Sequence, residues 1–146
     1  MAEEKSENTG AEGETVSVRG DRNDTSTGGG DDYVNIRGDQ NDTSTGGGDD
    51  YVNIRGGGEG KFQDANTNTG DGDDTVKARG DYNDIDTEEG DDTVSVAGSG
   101  NSINTGTGDD TVTVSGTNNR VFTKDGNDTV NAVSYTHLTL PTILLV

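Results

Sequence analysis

Gly28-Gly29-Gly30-Asp31-Asp32-Tyr33-Val34-Asn35-Ile36-Arg37-Gly38 is answered eighteen residues later by Gly46-Gly47-Gly48-Asp49-Asp50-Tyr51-Val52-Asn53-Ile54-Arg55-Gly56. Outward from this near-copy, the acidic pair recurs at Asp73-Asp74, Asp91-Asp92, Asp109-Asp110 and Asn127-Asp128. Each step is 18 residues except one of 24, which places six extra residues between Arg55 and Thr69. Midway between successive pairs stands an asparagine (Asn23, Asn41, Asn83, Asn101, Asn119), with Ala65 in that place beside the insertion. Two residues after each marker comes a residue such as Val34, Thr43, Val76, Ile85 or Val112, and a second follows two further on. Alternation at period two, rich in β-branched residues and bounded by Gly/Asp turns, spells short half-buried strands and excludes helix. A single 18-residue unit buries almost nothing. Stacked units put Val over Val and Thr over Thr at about 4.8 Å. The expected fold is therefore all-β: a parallel β-roll, or β-solenoid, with 18 residues, two short strands and two turns per coil, and about seven coils.

Composition agrees with a thin core. Of 146 residues only 24% are apolar, 24 are glycine and none is cysteine, so a conventional globular interior cannot be assembled. The net charge of −19 argues against the broad basic surface that nucleic acid or an anionic membrane selects, and points to cations as partners. The acids are 21 Asp to 8 Glu, and Asp belongs in turns and in hard-cation sites. No apolar run is long enough to span a bilayer, so membrane insertion is not expected.

Gly28-Gly29-Gly30-Asp31-Asp32-Tyr33-Val34-Asn35 and Gly106-Thr107-Gly108-Asp109-Asp110-Thr111-Val112-Thr113 resemble the nonapeptide G-G-x-G-x-D-x-U-x of repeats-in-toxin (hemolysin-type) calcium-binding proteins. The resemblance covers residues 14–132. It implies a β-roll with several Ca²⁺ ions between successive coils, in bacterial proteins exported to the cell surface or medium by machinery that reads a C-terminal signal. It also makes Asp32, Asp50, Asp74, Asp92, Asp110 and Asp128 the marker ligands, aided by carbonyls of the turn glycines. Only every second nonapeptide keeps the glycines and aspartate, and the intervening ones carry Asn.

On the aspartate edge, the pairs stack eleven carboxylates that would repel one another without a counterion. The candidate calcium residues are Asp31, Asp32, Asp49, Asp50, Asp73, Asp74, Asp91, Asp92, Asp109, Asp110 and Asp128. Gly28, Gly30, Gly46, Gly48, Gly70, Gly72, Gly90, Gly106, Gly108 and Gly126 complete the set, because glycine lets a backbone carbonyl approach an ion. On the other edge the asparagines stack as neutral amides that bond to the copies above and below, a structural ladder.

Arg19, Arg37, Arg55 and Arg79 share one repeat position. Three of them open Arg-Gly-Asp tripeptides, whose plain reading is that outward arginines offset nearby carboxylates. The turn position that carries threonine in some ice-binding solenoids reads Gly29, Gly47, Asp71, Glu89, Thr107, Asp125, with a single threonine. No cysteine, no histidine within the repeat and no Ser paired with a base support catalysis. The chain is divided into an acidic, disordered segment 1–13, a roll over 14–133 with an insertion near 57–63, and a tail at 134–146. That tail holds every leucine, the only proline and the only histidine. Ser134-Tyr135-Thr136-His137-Leu138-Thr139-Leu140-Pro141-Thr142 resembles an in-frame translation of sequencing-adapter DNA and is set apart from functional reasoning. The expected function is a calcium-stabilised structural roll, a scaffold or spacer of a secreted or surface protein and not an enzyme. Alternatives are an adhesin-type or end-to-end self-associating module, and an ice-binding protein.

Overall fold

The computed structural model describes residues 6–8, 10, 12–56 and 65–133. The insertion near 57–63 and the tail 134–146 lie outside the described residues. The strands in chain order are β1 (Ser6–Asn8), β2 (Thr15–Arg19), β3 (Asp24–Ser26), β4 (Tyr33–Arg37), β5 (Asp42–Gly47), β6 (Tyr51–Arg55), β7 (Asn66–Asp71), β8 (Thr75–Arg79), β9 (Asp84–Asp86), β10 (Thr93–Ala97), β11 (Ser102–Asn104), β12 (Thr111–Ser115), β13 (Arg120–Phe122) and β14 (Thr129–Ala132). Odd-numbered strands form one seven-stranded sheet and even-numbered strands the other, each in strict coil order. The chain is a parallel β-solenoid of about six closed turns, and no helix occurs among the described residues.

Register follows the repeat. Val34 pairs with Val16 and Val52, and Val94 with Val76 and Val112, so identical positions stack. The 24-residue step keeps this register: Tyr51 pairs with Thr75 and Asp42 with Asn66. One strand precedes the roll boundary drawn at Glu14, because β1 pairs Ser6 with Asp24 inside the acidic lead-in. A parallel ladder is made by backbone groups, and Glu7, in register with Thr25, gives the apolar pattern nothing to read.

The interior is two side chains thick. Even-numbered strands bury columns that run Val16, Val34, Val52, Val76 and Val18, Ile36, Ile54, Ala78; the odd-numbered strands answer with Thr25, Thr43, Thr67, Ile85, Ile103 and Val121. Each buried Val or Ile contributes roughly 1.5–3 kcal/mol, and stacking lets every coil use the faces of its two neighbours.

The turns hold the coils at strand spacing. Gly46 has φ +104°, and a Cβ on it would overlap the carbonyl oxygen of Gly28 in the preceding coil. Gly46→Ala is expected to destabilise the fold by ~2 kcal/mol or more, through both the left-handed backbone and the overlap. A urea midpoint equal to that of the unaltered chain would contradict this close approach.

Candidate functional site

Each aspartate pair divides its labour. The second member (Asp32, Asp50, Asp74, Asp92, Asp110) turns inward and is buried, whereas the first (Asp31, Asp49, Asp73, Asp91, Asp109) is exposed. The inward carboxylate accepts the backbone N–H of the coil before it. Asp32 N–H donates to Asp50 Oδ1 at 2.8 Å, Asp50 to Asp74 at 2.8 Å, Asp74 to Asp92 at 2.9 Å and Asp92 to Asp110 at 3.0 Å. The outward carboxylate works in the opposite direction and accepts from the coil after it. Asp73 N–H donates to Asp49 Oδ1 at 3.1 Å, Asp91 to Asp73 at 2.8 Å and Asp109 to Asp91 at 2.8 Å. A pair such as Asp73-Asp74 thus stitches its coil to both neighbours.

The second oxygen of the inward carboxylate faces a threonine column. Thr87 Oγ1 donates to Asp92 Oδ2, and Thr45, Thr69 and Thr105 hold the same place, five residues before Asp50, Asp74 and Asp110. Burial raises the pKa of all four carboxyls, pushing Asp74 up to about 7 and Asp92 up to about 6. The threonine hydroxyls and backbone N–H groups act the other way, and neighbouring aspartates add to the rise. No basic side chain is among the groups that act on them. Thr87 also reaches the carbonyl of Thr105 at 3.2 Å with the same hydroxyl, and a hydroxyl has one hydrogen to give. A protonated Asp92 satisfies both partners, donating to Thr87 Oγ1 while Thr87 donates onward. An ionised Asp92 claims that hydrogen and leaves the carbonyl bond unmade.

The asparagine edge is the same device without the charge. Asn23 N–H donates to Asn41 Oδ1 at 2.9 Å, Asn83 to Asn101 at 2.8 Å and Asn101 to Asn119 at 2.9 Å. The amides add a link that carboxylates lack, Asn101 Nδ2 to Asn119 Oδ1 at 3.0 Å. Outward partners again run the other way, with Asp39 N–H donating to Asp21 and Ser99 N–H to Asp81. The ladder breaks at Ala65, where Asn41 Nδ2 is buried without a hydrogen-bond partner.

The structure brings the sequence-expected residues together on one edge. Gly28, Gly30, Gly46, Gly48, Gly70, Gly72, Gly90, Gly106, Gly108 and Gly126 all lie along it at positive φ, Gly46 and Gly70 at the ends of β5 and β7 and the others in its turns. Asp128 is half-buried and accepts the N–H of Asp110 at 3.1 Å. The threonines were read from the sequence only as inward strand residues. Their constant five-residue lead on the inward aspartate is the signal that marks them as its partners. The donor set is carboxylate, hydroxyl and carbonyl oxygen, the kind a hard cation prefers. Buried Oδ2 atoms of Asp32, Asp50, Asp74 and Asp110 have no hydrogen-bond partner that meets ordinary geometry. Among the described residues no three acidic side chains converge on one point, so an ion here would need turn carbonyls and water to complete its shell.

Residues 79–135 match a family described as "Protein of unknown function (DUF3060)". That match spans the C-terminal coils, from the end of β8 onward. No curated protein and no solved structure matches the chain.

The raised carboxyls fix a pH dependence. Their folded pKa values lie above the ordinary 3.8, so the folded state holds more protons than the unfolded chain between those values. The stability this contributes is complete below the unfolded value and is lost as pH rises through about 6 to 7. In chelator, the melting temperature should therefore rise on acidification from about pH 7.5 to about pH 4.5, and Asp74→Asn should blunt the rise. A flat or falling profile would refute protonation of the inward column.

Proposed function

We propose that the chain is a non-enzymatic structural β-roll whose aspartate edge binds Ca²⁺, serving as a scaffold or spacer in a secreted or surface-attached bacterial protein. One observation carries this reading. Both edges are built on the same inter-coil ladder, yet one uses neutral amides and the other buried carboxylates that have no basic partner among the described residues. An amide makes the ladder bond without the cost of burying a charge. A row of carboxylates is useful only if something positive joins it, and a divalent cation with oxygen ligands is the natural occupant. The repeats-in-toxin resemblance of the turns supports the same ion.

Asp32, Asp50, Asp74, Asp92 and Asp110, with the outward aspartates and turn carbonyls, are the groups assigned to hold it. When bound, the ion supplies positive charge between coils and so adds its binding free energy to the folding of the roll. Because burial pushes the Asp74 carboxyl up to about 7 and that of Asp92 up to about 6, cation binding at or below neutrality displaces protons from these two.

Asp92→Asn tests the assignment, since the amide retains the ladder acceptor and removes the charge. The expected result is an unchanged or higher melting temperature in chelator, with fewer ions bound and fewer protons released on calorimetric Ca²⁺ titration. Asn101→Ala, on the opposite edge, should lower the melting temperature through lost ladder bonds of roughly 1 kcal/mol each while keeping the ion count. Ion loss in Asn101→Ala together with full binding in Asp92→Asn would place calcium on the other edge. No heat and no spectral change in the unaltered chain would end the calcium reading.

A further inference from the structure

The outer face of the even-numbered sheet carries a second column of like charge. Arg19, Arg37 and Arg55 are in direct register across β2, β4 and β6, and Arg55 is in register with Arg79. Like charges directly opposite one another destabilise a sheet. The sequence suggests that neighbouring carboxylates offset them, yet among the described residues Arg19, Arg37 and Arg55 form no ion pair. Three guanidinium groups are thus gathered, unpaired, on a chain of net charge −19.

They form one wall of a groove of about 370 Å³ that runs along the solenoid axis, with Tyr33 on the other wall and Asn35 and Asn53 between them. No carboxylate lines it. Asn53 Nδ2 donates to Asn35 Oδ1 at 3.0 Å, so the amides present an ordered row. Tyr33 stacks on Tyr51 with centroids 4.8 Å apart and planes 6° apart, and Lys77 Nζ lies 5.0 Å from the Tyr51 ring centre, which adds a cation at the fourth coil.

We propose that this groove binds a linear acidic glycan of the uronate type. Guanidinium groups at successive coils bind carboxylates in the geometry their fork favours. The amides and tyrosine hydroxyls offer hydrogen bonds to sugar hydroxyls, and the rise of about 4.8 Å per coil is close to the length of one pyranose unit in an extended chain. Charge density selects against nucleic acid, whose duplex carries one charge per about 1.7 Å and would be repelled by the acidic remainder of the chain. A glycan with a carboxylate on every sugar, or on every second sugar, meets the arginines at one or two coil spacings. The odd-numbered sheet presents the opposite character, with Asp24, Asp42 and Asp84 in one outward row, so the competing occupant is the acidic face of a second copy.

The test is affinity electrophoresis of the full chain, in calcium-containing buffer, through gels containing hyaluronan, dextran or duplex DNA. Retardation is expected in hyaluronan, with none in dextran, and it should weaken as salt is raised. Arg37→Gln with Arg55→Gln should weaken the apparent affinity by roughly tenfold or more, from the loss of two charge-assisted contacts. Arg120→Gln, on the other sheet, should leave it unchanged. All three positions point outward, and circular dichroism verifies that each variant folds. No retardation in hyaluronan, equal retardation of the double variant, or retardation in DNA alone would overturn the proposal. Concentration-dependent self-association that disappears in the double variant, without glycan binding, would assign the face to a second copy.

Discussion

One bond recurs at the corners of this solenoid, the one at Ala65 excepted: a side-chain oxygen just past a turn accepts the backbone N–H at the equivalent position of the neighbouring coil. It is needed because a tight turn leaves N–H groups that the strand ladders do not reach, and buried donors without partners are costly. Asp or Asn fits the place because each has a short side chain ending in a planar oxygen acceptor. The glycines follow from the same constraint, since coils drawn to hydrogen-bonding distance at the turns leave no room for a Cβ at positions such as Gly46. The apolar requirement is then small. Val and Ile columns two side chains thick suffice because the turn bonds and the strand ladders fix the stack.

The two corners of each coil therefore differ in charge more than in architecture. At the asparagine corner the acceptor is neutral, a second amide bond runs along the column, and the neighbouring inward positions are Val18, Ile36, Ala78, Val96 and Val114. At the aspartate corner the acceptor is ionisable and the neighbours are Thr27, Thr45, Thr69, Thr87 and Thr105. The threonine methyl keeps the interior apolar while the hydroxyl meets the carboxyl. The protonation of that edge therefore follows acidity, with Asp74 and Asp92 raised to about 7 and about 6, whereas the amide edge stays neutral.

Most of the fold is legible in the sequence because its signal is repetition. An 18-residue step with period-two strands dictates parallel stacking in register, and the 24-residue step can be absorbed only outside the strands, as the pairing of Tyr51 with Thr75 bears out. The candidate edge is legible as a place but not as an arrangement. Nothing in Asp-Asp tells which carboxylate turns inward, since that depends on how the turn delivers Asp32 against Thr27 rather than on residue type. β1 is hidden because its pairing uses backbone alone. The arginine column is visible as a repeat position, but the separation of Arg19, Arg37 and Arg55 from carboxylates becomes apparent only in the fold, where turn aspartates such as Asp21 and Asp81 are engaged by backbone N–H groups.

The uneven step between the second and third aspartate pairs has a wider meaning. Asp50 N–H still reaches Asp74 across 24 residues at 2.8 Å, as if the surplus were not there. Cohesion in this stack is settled rung by rung, so the contour length spent between rungs is nearly free, each doubling of a loop adding only about 0.6 kcal/mol. The asparagine corner is thus a mounting rail: peptides of varied length can be grafted after Gly56 and displayed beside the arginine column without changing the reading frame of the stack.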